Sequence, residues 1–182
     1  VLTYSFDYDV RDSRVYPLEG FRANINAQQI GLGFIPDFDY PAFRLTGMLM
    51  YYQKVANRLY FYNTTKARYS SEKTMPHLMN QALGYNDYLS GYEPYVIDGS
   101  DYVISIYNLK LQVVKPNSYT LPFIKMHQFN KIHYAVYVNV FANAGYVNNV
   151  FPNPTNTMVN RWQFSAGAGI DLVTYYDKVF SI

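Results

Sequence analysis

Ile132-His133-Tyr134-Ala135-Val136-Tyr137-Val138-Asn139-Val140-Phe141-Ala142-Asn143-Ala144-Gly145-Tyr146-Val147 is the stretch whose pattern decides the fold. Tyr134, Val136, Val138, Val140 and Ala142 share one face, and Asn139 and Asn143 lie on the other. Strict alternation means a strand with one apolar and one polar side. The run is far longer than the ordinary strand of about five or six residues. It exceeds even the roughly 9–11 residues that a tilted strand needs to cross a bilayer.

The same pattern extends outward in both directions. Downstream, Trp162, Phe164, Ala166, Ala168, Ile170 and Leu172 alternate with Gln163, Ser165, Gly167, Gly169 and Asp171. Upstream, Leu109, Leu111 and Val113 oppose Asn108, Lys110 and Gln112 over residues 102–114, with residues 115–131 a connection carrying Pro116 and Pro122. Residues 58–69 set Leu59 and Phe61 against Tyr60, Tyr62, Thr64, Lys66 and Arg68, and residues 43–55 precede them across a tight turn at Ala56-Asn57. Phe21, Ala23, Ile25 and Ala27 oppose Arg22, Asn24, Asn26 and Gln28 over 21–33. Residues 1–8 form a further strand, and 178–182 open an eighth. Pro36–41, Pro152 with Pro154, and residues 174–177 read as loops or turns. Residues 70–100 form the longest segment without a strand pattern. Within it Tyr92, Tyr95, Val96 and Ile97 are too apolar for a free surface loop, which predicts a loop packed inside the sheet.

Composition agrees. The 182 residues suffice for one domain with a core. Aromatics make up 19%, with 21 Tyr and 12 Phe, while charged residues are only 15% against about 25% in an average soluble domain. Mean hydropathy is nevertheless slightly negative. Apolar side chains facing lipid, polar ones facing a lumen and aromatic girdles between them give this balance in a transmembrane β-barrel. A soluble Tyr-rich sandwich that binds sugars fits the composition too; strand length favours the barrel. The net charge of +2 points to no nucleic-acid partner, and the absence of cysteine excludes disulfides and thiolate metal sites. No apolar run is long enough for a transmembrane helix. His77, His127 and His133 lack ligand spacing, and Asp7, Asp9 and Asp12 lack the glycine and terminal Glu of a calcium loop. Gly167-Ala168-Gly169 precedes no helix and so forms no phosphate cradle. No paired catalytic carboxylates or nucleophile elbow stand out, so neither enzyme chemistry nor a cofactor is expected. Beginning at Val1 in strand-like sequence, the chain reads as a piece of a longer protein.

Four motifs then coincide. Asp9-Val10-Arg11-Asp12 with Pro17 and Gly20 resembles the D-x-R-D…P-x-x-G turn of the outer-membrane protein assembly factor superfamily, which includes BamA, TamA and the two-partner-secretion transporters. Leu89-Ser90-Gly91-Tyr92 is similar to its Val/Ile-Arg-Gly-Phe/Tyr tetrapeptide at the tip of an inserted extracellular loop. Phe141-Ala142-Asn143-Ala144-Gly145 resembles its F-x-D-x-G segment, and residues 166–177 resemble the hairpin that follows. The resemblance implies an all-β, transmembrane antiparallel barrel of sixteen strands. Residues 1–182 would supply roughly strands eight to fifteen, with residues 70–100 the inserted loop. It implies insertion or translocation of other outer-membrane proteins, by a non-enzymatic mechanism, in the bacterial outer membrane. The implied partners are outer-membrane lipids, unfolded outer-membrane proteins and periplasmic or lipoprotein subunits.

In that family the loop Arg pairs with the Asp of F-x-D-x-G on the lumen wall, and an acidic residue follows on the next strand. Here the three places hold Ser90, Asn143 and Asn108. Losing one partner of a buried pair costs about 3–5 kcal/mol, whereas replacing both is nearly neutral, so joint loss is the expected route. A Ser90–Asn143 hydrogen bond is the expected substitute; the alternatives are a shifted alignment of the motifs, or Arg58 or Arg68 supplying the charge. Phe141 and Gly145 complete the predicted wall. Alternatives remain: a divergent barrel serving as accessory subunit or anchor, a closed eight-stranded barrel, and the soluble sugar-binding domain.

Overall fold

The computed structural model describes residues 1–31, 41–74, 76–120, 131–151, 156–174 and 178–182, without the side chains of Lys131 and Ile132. Residues 36–40, Pro122, His127, Pro152, Pro154 and residues 175–177, singled out above, lie outside the described residues.

Among the described residues ten strands form in chain order: β1 (Leu2–Asp9), β2 (Gly20–Ile30), β3 (Ala42–Ala56), β4 (Leu59–Ser70), β5 (Gln81–Leu83), β6 (Ile97–Asp98), β7 (Asp101–Thr120), β8 (Lys131–Asn148), β9 (Trp162–Val173) and β10 (Val179–Ser181). Eight of them make one antiparallel meander, β1-β2-β3-β4-β7-β8-β9-β10. The sheet is open, with β1 and β10 at its edges, so it is not a closed eight-stranded barrel. β5 and β6 pair with each other inside the loop between β4 and β7.

Alternation dictates which side each residue takes. Asn108, Gln112, Asn139, Asn143, Gln163 and Asp171 are buried on the concave face. Leu49, Leu109, Leu111, Val138, Val140, Ile170 and Leu172 are exposed on the convex face. This is inside-out for a soluble sandwich and correct for a strand wall between lipid and lumen. Aromatic side chains gather near the two ends of the strands. Tyr146, Trp162 and Phe164 cluster at the rim carrying the 71–100 loop, with Trp162 and Phe164 stacked at 6.0 Å. Tyr8 and Phe21 meet at 5.6 Å at the opposite rim, which carries the β1–β2 and β3–β4 turns.

β7 runs to Thr120 and β8 starts at Lys131, so the hairpin is longer than the alternation predicts and Pro116 lies within a strand. The reason is local. β4 pairs with β7 only as far as Leu59↔Leu111, so beyond that point one side of β7 is an edge that needs no proline N–H. The register between β7 and β8 shifts between Val114 and Asn117, accommodating the ring.

The main buried apolar cluster is not between sheet layers. It consists of Ala82, Leu83, Leu89 and Ile97 from the loop packed on Tyr102, Ile104 and Val147 of the wall, with Val159 from the β8–β9 connection. The inserted loop therefore supplies the core that a single curved sheet otherwise lacks.

Candidate functional site

The site is the seat of the 71–100 loop on the concave wall. Its base is closed by Asp101 at the start of β7. The Asp101 carboxylate accepts from the Ser70 amide at 2.9 Å, from Asn148 Nδ2 at 3.0 Å and from Lys73 Nζ at 2.7 Å. Ser70 and Ser100, where the chain leaves and re-enters the sheet, are almost fully buried. Gly99 lies so close to β8 that a Cβ would come within 2.3 Å of Val147 Cγ1 and 2.6 Å of the Asn148 carbonyl oxygen. Only glycine lets the backbones approach this way.

Above the base, wall cations hold the loop's backbone. Arg68, on the concave face of β4, donates from Nη1 to the Gln81 carbonyl and from Nη2 to the Gly99 carbonyl, both at 2.6 Å, and from Nε to the Ser100 carbonyl at 3.2 Å. Its guanidinium also covers the Tyr102 ring at 4.7 Å. Arg44, on β3, donates to the Met79 carbonyl at 2.5 Å. One step deeper, Lys66 Nζ lies 2.7 Å from Asp87 Oδ2, and the Tyr102 hydroxyl donates to the same oxygen at 2.7 Å. Within the loop Tyr85 donates to Asp98 at 2.6 Å. Burial and that neighbouring carboxylate push the Tyr85 hydroxyl up to about 12.

The loop tip carries the predicted tetrapeptide. Leu89 is buried in the central cluster, and its Cδ1 would lie 3.2 Å from a Cβ on Gly145. The glycine ending F-x-x-x-G thus leaves the hollow that Leu89 fills. Gly91, at φ +86°, reaches β9, where the nearest atom to an added Cβ is Ser165 Cβ at 3.8 Å. The Tyr92 hydroxyl donates to the Phe164 carbonyl at 3.3 Å. Ser90 and Asn108 line one lumen cavity together with Phe141.

A family model for the Omp85 superfamily domain matches residues 1–174. The chain belongs to the Omp85 superfamily. This is the outer-membrane protein assembly and translocation superfamily, whose members are outer-membrane β-barrels acting as non-enzymatic insertion and transport factors. No curated protein and no solved structure matches the chain.

Set against the Omp85 resemblance, the motifs come together in part. The turn residues all have roles. Arg11 forms a two-pronged pair with Asp9 at 2.9 and 2.8 Å, and Asp12 Oδ1 accepts from the Ser13 and Leu18 amides at 2.8 and 3.0 Å. Gly20 sits at φ +104° with the Val10 carbonyl only 2.4 Å from where a Cβ would be. Pro17 is half-buried within that turn. The expected Ser90–Asn143 hydrogen bond is not formed among the described residues. Asn143 Nδ2 donates instead to Ser165 at 3.1 Å, and its Oδ1, like that of Asn108, is buried without a partner. Tyr95 and Val96 are about half exposed, contrary to the expectation that Tyr92, Tyr95, Val96 and Ile97 are all covered; of these four Ile97 alone is fully buried.

Of the residues that hold the loop, Arg68 is one of the two arginines expected as an alternative source of charge, whereas Arg44, Lys66, Asp87 and Asp101 are marked by no motif. A signal existed: Lys66 and Arg68 fall on the polar side of β4's alternation, and Arg68, opposite Thr46, is diagonal to Arg44 in the β3–β4 register.

Proposed function

We propose that this chain supplies roughly strands eight to fifteen of a sixteen-stranded outer-membrane barrel that inserts or translocates other outer-membrane proteins, with the loop brace rebuilt around a pair of opposite polarity. Where the family places a cation on the loop and a carboxylate on the wall, the deeper tie here runs the other way, Asp87 on the loop with Lys66 on the wall and with Arg68 and Arg44 of the wall on loop carbonyls, while Lys73 of the loop and Asp101 of the wall keep the family's sense at the base. That inversion is the observation supporting a retained brace: the Ser90/Asn143/Asn108 positions are neutral, yet the loop is held by charge. The exposed convex face is suited to outer-membrane lipids. The other proposed partners are unfolded outer-membrane proteins as substrates, and periplasmic or lipoprotein subunits.

The experiment reconstitutes the full-length protein in liposomes and follows folding of a urea-unfolded outer-membrane barrel by its shift in unheated gels. Folding faster than in empty liposomes is expected, with the gain diminished by Arg68→Met. No acceleration by the native protein would overturn the insertase reading. It would favour the second one, a divergent barrel acting as accessory subunit or anchor, for which the neutral Ser90 and Asn143 speak.

A further inference from the structure

We propose that the β1–β2 turn is a strap that shuts the lumen at the turn rim, latched by Tyr16 on Asp171. The turn is far from β9 in the sheet: β3, β4, β7 and β8 lie between β2 and β9. Yet the Tyr16 hydroxyl donates to Asp171 Oδ2 at 2.8 Å across 155 residues of sequence. The contact therefore runs as a chord across the concave face rather than along the sheet.

The latch is a built site. Ser181 on β10 donates to Asp171 Oδ1 at 2.8 Å, and Lys110 Nζ lies 3.2 Å from Oδ2. Lys110 also sits over the Tyr16 ring at 3.9 Å. The Tyr16 ring meets the Tyr137 ring at 5.0 Å, and Tyr137 in turn accepts from Gln112 Nε2 at 3.0 Å. The side chains of Asp171 and Lys110 are only 7% and 11% exposed, so the carboxylate's charge is met by donors from the turn, β7 and β10 rather than by bulk water. The turn comes to this position pre-shaped, because Asp12 ties its two arms together.

Its placement gives the strap a purpose. A cavity of about 660 Å³ is lined by Val15 and Tyr16 from the strap, by Ser90 and Glu93 from the loop tip, and by wall residues including Asn139. The loop tip covers the cavity from one rim and the strap from the other. Loop tip and strap thus cap this part of the lumen from its two rims.

The test uses the full-length protein in oriented proteoliposomes with Asn139→Cys as a reporter, the present chain having no cysteine of its own. A membrane-impermeant cationic thiol reagent is applied from the turn-rim side. Slow labelling is expected with Tyr16 in place. Since a hydrogen bond to a charged group contributes about 1.5–3 kcal/mol, Tyr16→Phe, which loses that bond and keeps the ring packing, raises the rate about ten- to hundred-fold. Tyr16→Ala, which loses the ring contacts as well, gives a larger rise. Arg14→Cys on the exposed turn labels fast in every background and serves as control. If Tyr16→Ala fails to fold, Asp171→Asn carries the same comparison. Fast labelling of the native background, or equal rates with and without the latch, would overturn the strap. The readout does not depend on insertion activity.

Discussion

Replacing Arg68 with methionine removes three charge-assisted hydrogen bonds from the loop while leaving a side chain of similar reach against Tyr102. The three accepting carbonyls belong to Gln81, Gly99 and Ser100, so both arms of the loop lose their tie at once. A hydrogen bond to a charged group contributes about 1.5–3 kcal/mol, and freed carbonyls in a wet lumen regain water, so the low end applies: roughly 4.5 kcal/mol for the three bonds. At about 1.4 kcal/mol per factor of ten, local opening of the loop base becomes somewhat over a thousand-fold more frequent, on the order of three decades. Amide hydrogen exchange on the full-length protein reads this directly. The Gly99 amide donates to Asn80 and the Ser100 amide to Asn148, so both report opening. Protection at these amides should fall by about three orders of magnitude while β8 and β9 keep theirs. Unchanged protection at Gly99 would refute the claim that Arg68 holds the loop. A uniform loss across β8 and β9 would show that Arg68 supports the barrel as a whole instead.

Other perturbations probe neighbouring parts. Leu89→Ala empties the hollow above Gly145 and should cost about 2–5 kcal/mol of loop stability, seen as earlier proteolysis of residues 84–97. Gly99→Ala places a methyl against Val147 and the Asn148 carbonyl and should cost about 1–3 kcal/mol, lowering the temperature at which the folded band disappears in gels. Ser90→Arg and Asn143→Asp each bury an unpaired charge, at about 3 kcal/mol or more, and the double change should recover most of the loss; additive losses would mean that the tip and β8 cannot be rejoined.

Much of the architecture was legible because alternation is a local signal. Asn143, Asn139 and Asp171 could be put on the lumen side from neighbours two residues away, and the strand directions followed. The extent of β7 was not, since Pro116 ends a strand only where both edges are paired, and pairing with β4 is a long-range fact. The brace was hidden for a related reason. Arg44 and Arg68 bind mostly backbone carbonyls, which every residue carries, so no side-chain pattern in the loop betrays those contacts, and Lys66 meets a single carboxylate, Asp87, that no motif marks. The motif positions Ser90 and Asn143 drew attention precisely because their charge is gone, while the charge that replaced it sits near the rim. Tyr95 and Val96 looked inward by composition, but the loop's turns at Leu89–Tyr92 and Tyr92–Tyr95 swing them outward.

The inverted brace is tested most directly by a double-mutant cycle on Lys66 and Asp87, whose side chains are 25% and 18% exposed. Loop opening is measured by exchange of the Gly84 amide, which donates to the Asp87 carbonyl, in Lys66→Met, Asp87→Asn and the double variant. A coupling of about 1–2 kcal/mol is predicted, above the value for an exposed pair and below that for a fully buried one. Additivity within about 0.5 kcal/mol would contradict the account, because it would mean that the loop carboxylate and the wall cation do not act on each other.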